Sequence, residues 1–243
     1  MVMISRFFKK QYPSGYLLDG YKIISLIGEG RFGKCYLVEI NNKLYILKEI
    51  KPKSLKKSGE KVMFEEQILS SIDNPAVPKL IHTIKRDNIY AYILEYKNGK
   101  TIEDMIFGYG HKFASSEIYN IGIKLIDIIK YLQKRNIVHR DIRIPNVIID
   151  EENVYLIDFG LARFIDNKKY SIYDDFLYLG HLLIHLYYSS FTKNNRKSRP
   201  WYEELQLSFD ELKFLKRLLG IEKEYQDIYE LEREFLNLKL DKV

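Results

Sequence analysis

The hydrophobic period of the chain changes near Lys97, and that switch limits what it can fold into. Before it, Tyr21 to Gly28, Lys34 to Ile40 and Leu44 to Ile50 are short apolar runs joined by a glycine-rich turn and by Asn41-Asn42, which predicts an antiparallel meander. Gly59 to Ile72 interrupts it with Val62, Phe64, Ile68, Leu69 and Ile72 near helical spacing, stopping before Asn74-Pro75. Leu80 to Lys85 and Ile89 to Glu95 predict two further strands about the turn Arg86-Asp87-Asn88, and Lys97 to Lys100 is a connector. Beyond it, Ser115 to Lys134 predicts a long amphipathic helix opening on two Ser and a Glu suited to capping. Val147 to Asp150 and Asn153 to Asp158 predict a small hairpin, and helices follow at about Asp174 to Tyr188, Phe209 to Leu219 and Glu224 to Leu236. The expected class is α+β: a small antiparallel β-sheet lobe with one helix, over about 21–97, and a mainly helical lobe over about 98–243. Residues 1–20 are an N-terminal extension in this reading, and ligands commonly bind where two such lobes meet.

With 243 residues the chain is long enough for a real core. Its longest apolar stretch, Phe176 to Tyr188, is interrupted by Gly180, His181 and His185 and is shorter than the ~20 residues a bilayer requires, so no membrane span is expected. Met1 to Lys10 lacks the apolar core of a signal peptide, and the single Cys35 cannot form an internal disulfide, so a cytoplasmic setting is expected. The formal charge is +6, but basic and acidic residues are interspersed, which argues for a solvated mixed surface and against a nucleic-acid partner. Lys193 to Arg199 is read the same way, as a solvated loop. Oligomeric state leaves no signal.

The run Ile137 to Gly160 carries the chemistry. It spaces Asp141, Asn146 and Asp158 across a turn and a hairpin, and phosphoryl transfer uses that set: an aspartate to orient a hydroxyl, an asparagine and a second aspartate to hold metal ions on nucleotide phosphates. Gly28, Gly30 and Gly33 lie between two strand-like runs, where backbone amides can approach phosphate oxygens. A dinucleotide-binding fingerprint would need a helix next, whereas Lys34 to Ile40 predicts a strand.

The His139-Arg140-Asp141 triplet, the spaced Asn146 and Asp158-Phe159-Gly160 together resemble the catalytic core of the eukaryotic-type protein kinase family, and in particular small bacterial Ser/Thr kinases with a shortened activation segment. The resemblance spans about Tyr21 to Leu236. It implies a bilobal kinase-like fold, ATP as cofactor with Mg²⁺ (Mn²⁺ the alternative ion), and a protein substrate. Lys48 is implied to pair with the α- and β-phosphates, with Glu65 rather than Glu66 as its helix partner because Leu69 then falls one turn later on the same face; Glu66 is expected as an exposed surface charge. Asp141 is the implied base, Asn146 and Asp158 the metal ligands, and Arg143, where Ser/Thr kinases usually have Lys, a γ-phosphate contact. Ile27, Gly28, Gly30, Phe32 and Gly33 would cover the nucleotide, Cys35 and Ile46 form the adenine roof, Ile148 the floor and Leu94 the back wall, and Glu95, Tyr96 and Lys97 the hinge. Asp175 aligns with the aspartate that braces the catalytic loop backbone.

Two other patterns receive the plainer reading. Cys35 is a packing residue, and His181 with His185, four apart, belongs to a buried helix rather than a metal site. The chain also departs from the family: only Leu161 to Tyr173 separates Gly160 from the next helix, with no A-P-E, and Arg140 has no assured partner. Activity without loop phosphorylation is expected from that short segment. The missing docking segment motivates an alternative, a kinase-fold phosphotransferase for a non-peptide alcohol; a nucleotide-binding scaffold is a third reading, opposed by the intact Lys48, Glu65, Asp141, Asn146 and Asp158.

Overall fold

A computed structural model describes residues 11–30, 33–51, 64–86, 89–166, 168–192, 197 and 199–238. Its contacts divide the chain into two compact units, Met1–Ser70 with Pro78–Tyr96, and Ser71–Val77 with Lys97–Val243.

The first unit is an antiparallel sheet in the order β1-β2-β3-β4-β6-β5. Its strands are β1 (Leu17–Leu18), β2 (Tyr21–Glu29), β3 (Gly33–Ile40), β4 (Lys43–Ile50), β5 (Leu80–Arg86) and β6 (Ile89–Glu95). The β3–β4 hairpin turns on Asn41 and Asn42 with φ of 50° and 58°, the positive pair that a two-residue type I′ turn requires and that Asn tolerates. Alternation then sorts side chains by face. Tyr36, Val38, Leu47, Ala91 and Ile93 point into one core with Leu18 and Ile23. The other face carries Cys35, Lys48 and Tyr92 in one cross-strand row and Leu37, Ile46 and Leu94 in the next. The described part of helix α1, residues 64–71, is tied to this second face through Glu65 and Glu66. Residues 11–20, read from sequence as an extension, contribute β1 and the buried Leu18, and Tyr12 donates its hydroxyl to Glu49 at 3.2 Å.

The second unit is mainly helical: α2 (Ser115–Gln133), α3 (Ile172–Ser189), α4 (Trp201–Glu204), α5 (Phe209–Leu218) and α6 (Ile228–Leu236). α2 buries Ile118, Ile121, Leu125, Ile129 and Leu132, an i, i+3/i+4 stripe set against α3 and α6. Its cap differs from the sequence reading. Ala114 is the N-cap residue, and Glu117 closes the turn by accepting the Ala114 N–H at 2.8 Å, so the two serines lie inside the helix. α6 begins at Ile228 instead of Glu224, because Asp227 accepts the N–H groups of Tyr229 and Glu230 at 2.9 and 2.8 Å and so defines the first turn.

Small strands support the loops of this unit. β7 (Lys100–Thr101) joins β9 (Val147–Asp150) and β10 (Asn153–Leu156) in one sheet, and β8 (Ile137–Val138) pairs with β11 (Arg163–Phe164). Lys97 to Lys100 is therefore more than a connector. Gly99 has φ of +110°, and a Cβ there would lie 2.3 Å from the Ile149 carbonyl oxygen, so only glycine brings β7 onto β9. Ser71–Val77 also belongs to this unit: the Asp73 N–H donates to the Tyr131 hydroxyl at 2.8 Å and the Leu156 N–H to the Ala76 carbonyl at 2.9 Å. Among the described residues, no helix is long and apolar enough to cross a membrane.

Candidate active site

In the first unit, Lys48 on β4 and Glu65 on α1 meet at 2.5 Å, both buried. Two charges removed from water hold each other there, and removing either partner from such a buried pair costs about 3–5 kcal/mol. Glu66 is not the surface charge expected. It is half-buried, accepts Lys85 Nζ on both oxygens at 2.9 Å and takes the Tyr90 hydroxyl at 2.5 Å. Strand register places Cys35, Ile46, Lys48 and Leu94 on one face of the sheet.

The glycine-rich turn is a hairpin between β2 and β3, closed by the Gly30 N–H on the Gly33 carbonyl at 2.9 Å. Among the described residues nothing lies within 4 Å of a Cβ at Gly28 or Gly30, while a Cβ at Gly33 would fall 2.1 Å from the Glu49 carbonyl oxygen, so Gly33 lets β4 approach. Ile27 is exposed; Arg31 and Phe32 lie outside the described residues. Lys51, which sequence reasoning passed over, bonds the Gly30 carbonyl at 2.8 Å and Glu29 at 2.9 Å. Glu95 and Lys79 exchange two bonds: the Glu95 N–H donates to the Lys79 carbonyl at 2.9 Å, and the Lys79 N–H to the Glu95 carboxylate at 3.1 Å. Tyr96 ends this unit, half-buried.

In the second unit, Lys97 donates to the Pro75 carbonyl at 2.9 Å and lies over the Tyr155 ring, and Ile148 sits on β9 opposite Thr101 and Tyr155. The loop from His139 to Asn146 is built from below by Asp175. This fully buried carboxylate on α3 accepts the His139 N–H at 2.9 Å and the Arg140 N–H at 2.7 Å. Complete burial pushes its pKa up to about 7, against the pull of those two N–H bonds. Arg140 is held at φ of +66°, a left-handed conformation unfavourable to a long side chain.

His139 is the residue that sequence reasoning left without a role. Its Nδ1 accepts the Asp141 N–H at 3.2 Å and its Nε2 faces the Ile157 carbonyl at 3.2 Å, so the proton sits on Nε2 and the ring is neutral. Phe159, buried, meets this ring edge-on with centroids 4.6 Å apart. The Ile157 N–H donates to the Asn146 carbonyl at 2.9 Å, which joins the two segments that carry the proposed metal ligands.

Asn146 donates Nδ2 to both the carbonyl and the carboxylate of Asp141, at 2.9 and 2.7 Å. Both bonds use the amide nitrogen, which leaves the amide oxygen as the atom for a cation. Asp158 takes a left-handed turn, φ 62° and ψ 80°, and accepts the Gly160 N–H at 3.2 Å. These are hard oxygen donors. Among the described residues no cluster of three or more His, Cys, Asp or Glu side chains could hold a metal alone, so an ion here would complete its shell with phosphate oxygens and water, as Mg²⁺ does at nucleotide sites.

Asp141 is mostly buried, and burial raises its pKa; Arg143 and Asn146 oppose the rise, and Asp158 adds to it. Arg143, exposed, places Nε 2.9 Å from the Asp141 carboxylate. Replacing Arg143 by Ala removes a cation that favours the ionised form, so the acid limb of a kcat/KM–pH profile is expected to move to higher pH. An unmoved limb would show that Asp141 is not the titrating base.

The short segment after Gly160 is folded. β11 lies on β8, and Asp166 accepts the N–H groups of Lys168, Lys169 and Tyr170 at 3.0, 2.8 and 2.8 Å. Arg140 does have partners: its guanidinium lies 4.5 Å from the Tyr170 ring centroid and 3.7 Å from the Asp174 carboxylate. The His185 ring bonds the His181 carbonyl one turn back at 2.9 Å. Lys193 to Arg199 lies largely outside the described residues.

The protein kinase domain profile matches residues 21–183. The chain is 36% identical over 246 residues to the Bacillus subtilis protein named probable serine/threonine-protein kinase YbdM, covering 97% of this chain and 96% of that one. It is 32% identical to the probable serine/threonine-protein kinase KIN1 homolog of Encephalitozoon cuniculi and 29% identical to human serine/threonine-protein kinase Nek11. Those alignments cover 65% and 63% of this chain but 30% and 25% of the relatives. The chain belongs to the protein kinase domain family, whose members use ATP and a divalent metal ion.

Proposed function

We infer that the protein is an ATP-dependent serine/threonine protein kinase, and that Lys48, Glu65, Asp141, Arg143, Asn146 and Asp158 are its working residues. The observation that carries this reading is the Asp141–Asn146 pairing, which orients a carboxylate and reserves an amide oxygen beside it. In the reaction, the oxygen of a Ser or Thr hydroxyl bonds to the γ-phosphorus as the bond from that phosphorus to the β–γ bridging oxygen breaks. ADP leaves with the electron pair, and Asp141 orients the hydroxyl and takes its proton. Asn146 and Asp158 would hold the divalent ion, Mg²⁺ in this reading with Mn²⁺ as the alternative, and the ion would supply positive charge against the nucleotide phosphates. Lys48, kept in place by Glu65, binds the α- and β-phosphates. Cys35, Ile46, Leu94 and Ile148 contact the adenine, and backbone groups of Glu95, Tyr96 and Lys97 bond its edge. Arg143 contacts the γ-phosphate. Because Arg140 already faces Asp174 and Tyr170, transfer proceeds without phosphorylation of the short segment, and loss of most activity on phosphatase treatment would refute that point.

The test is transfer of labelled γ-phosphate in a cell extract, with protein and small-molecule fractions separated afterwards. Label in protein fits this reading; label confined to the soluble pool would make the protein a metabolite kinase. Lys48→Met in the same assay is expected to raise the KM for ATP by about 10- to 100-fold, since a charge-assisted bond is worth about 1.5–3 kcal/mol. An equally active variant would remove Lys48 from the site.

A further inference from the structure

Glu66 stands next to Glu65 on α1 but about 100° round the helix from it, and the sheet engages both. Glu65 reaches Lys48 on β4. Glu66 receives Lys85 from β5 and the Tyr90 hydroxyl from β6. Tyr90 rests edge-on against Tyr92, centroids 5.6 Å apart at 81°, and fully buried Tyr92 is the register partner of Lys48. The contacts close a ring: Lys48 to Glu65, one residue along the helix to Glu66, through Tyr90 to Tyr92, and across one strand back to Lys48.

The buried Ile68 and Leu69 pack α1 in place, but a single polar tether fixes only one point against rolling about the helix axis. A second tether, on another side of the helix and to different strands, removes that freedom. The Glu66 carboxylate can serve as that second tether because it keeps its charge. Burial pushes its pKa up, but the bonds from Tyr90, Lys85 and Thr83 outweigh burial and hold it below the usual range, so it stays ionised.

We propose that Glu66, acting with Tyr90 and Lys85, is a positioning residue for Lys48: it holds α1 at the roll where Glu65 meets Lys48, and thereby sets how the lysine engages ATP phosphates. This rests on the role given to Lys48 above. The Tyr90 branch is half-buried and the Lys85 side chain is half-exposed, so Tyr90 contributes more.

The experiment measures KM for ATP, single-turnover transfer and Tm for Glu66→Gln, Tyr90→Phe and Lys85→Met, each in the wild-type and Lys48→Met backgrounds. Glu66→Gln keeps size and Tyr90→Phe keeps the ring packing, so folding is preserved. Glu66→Gln is expected to raise the KM for ATP by about 3- to 20-fold, within the coupling range of contacting residues. Tyr90→Phe should follow it more closely than Lys85→Met, and none should add to the defect of Lys48→Met. A residue that only stabilises the fold would lower Tm and act equally in both backgrounds. Losses that add in the Lys48→Met background, or a wild-type KM in Glu66→Gln beside an impaired Lys48→Met, would overturn the proposal. Wild-type ATP use by Lys48→Met itself would remove both the proposal and the site reading beneath it.

Discussion

Asp141→Asn is expected to lower turnover by about 10²–10⁴-fold with ATP affinity retained, the usual worth of a positioned proton acceptor. The structure explains why the loss should be chemical rather than structural. One Asp141 oxygen accepts from the buried Asn146 amide and the other from the exposed Arg143 guanidinium. An asparagine can keep its oxygen toward Asn146 and turn its amino group toward Arg143, which solvent then serves. Thermal stability should therefore change little, while the group that takes the hydroxyl proton is gone. Unchanged turnover, measured with ATP binding in parallel, would strip Asp141 of its role.

Asp175→Asn should act in the opposite way, through structure. The two N–H groups it receives, from His139 and Arg140, are bound by different carboxylate oxygens, and α3 buries the site completely. An amide offers one oxygen, so one N–H would face an amino group with no water to replace the bond, a cost of about 1–3 kcal/mol. Arg140 would also lose part of what holds it at positive φ. The expected result is a lowered Tm and, in the protein that remains folded, single-turnover transfer reduced by about tenfold, because a displaced Asp141 no longer meets the hydroxyl in its reacting position. Wild-type transfer from the folded fraction would show that the loop keeps its shape without this brace.

The sequence carried the long elements because they leave local marks. β2, β3, β4 and α3 have sustained period, and the Asn41-Asn42 turn carries its own backbone preference. The pairing of Lys48 with Glu65 was also legible, from the family resemblance together with the position of Leu69 one turn on. What escaped depends on partners distant in sequence. β1, β7 and β11 are two residues each, too short for any period. Glu66 looked like a surface charge because Lys85 and Tyr90 lie 19 and 24 positions away on other strands. His139 had no visible role until the fold brought the Ile157 carbonyl to its ring. The partners of Arg140 were hidden for the same reason, since the tight turn around Asp166 brings Tyr170 back.

The placement of Ser71–Val77 with the second unit has a topological consequence. The chain visits that unit as a short loop, departs to form β5 and β6, and returns for good at Lys97. A protease cut between Tyr96 and Lys97 would therefore not yield two self-sufficient fragments. The carboxy-terminal piece alone would lack the Ala76 carbonyl that receives the Leu156 N–H and the Asp73 N–H that meets Tyr131, while the amino-terminal piece would carry those two groups without their partners. The nicked halves should copurify as a complex, each half stabilised by a loop or a surface that belongs to the other.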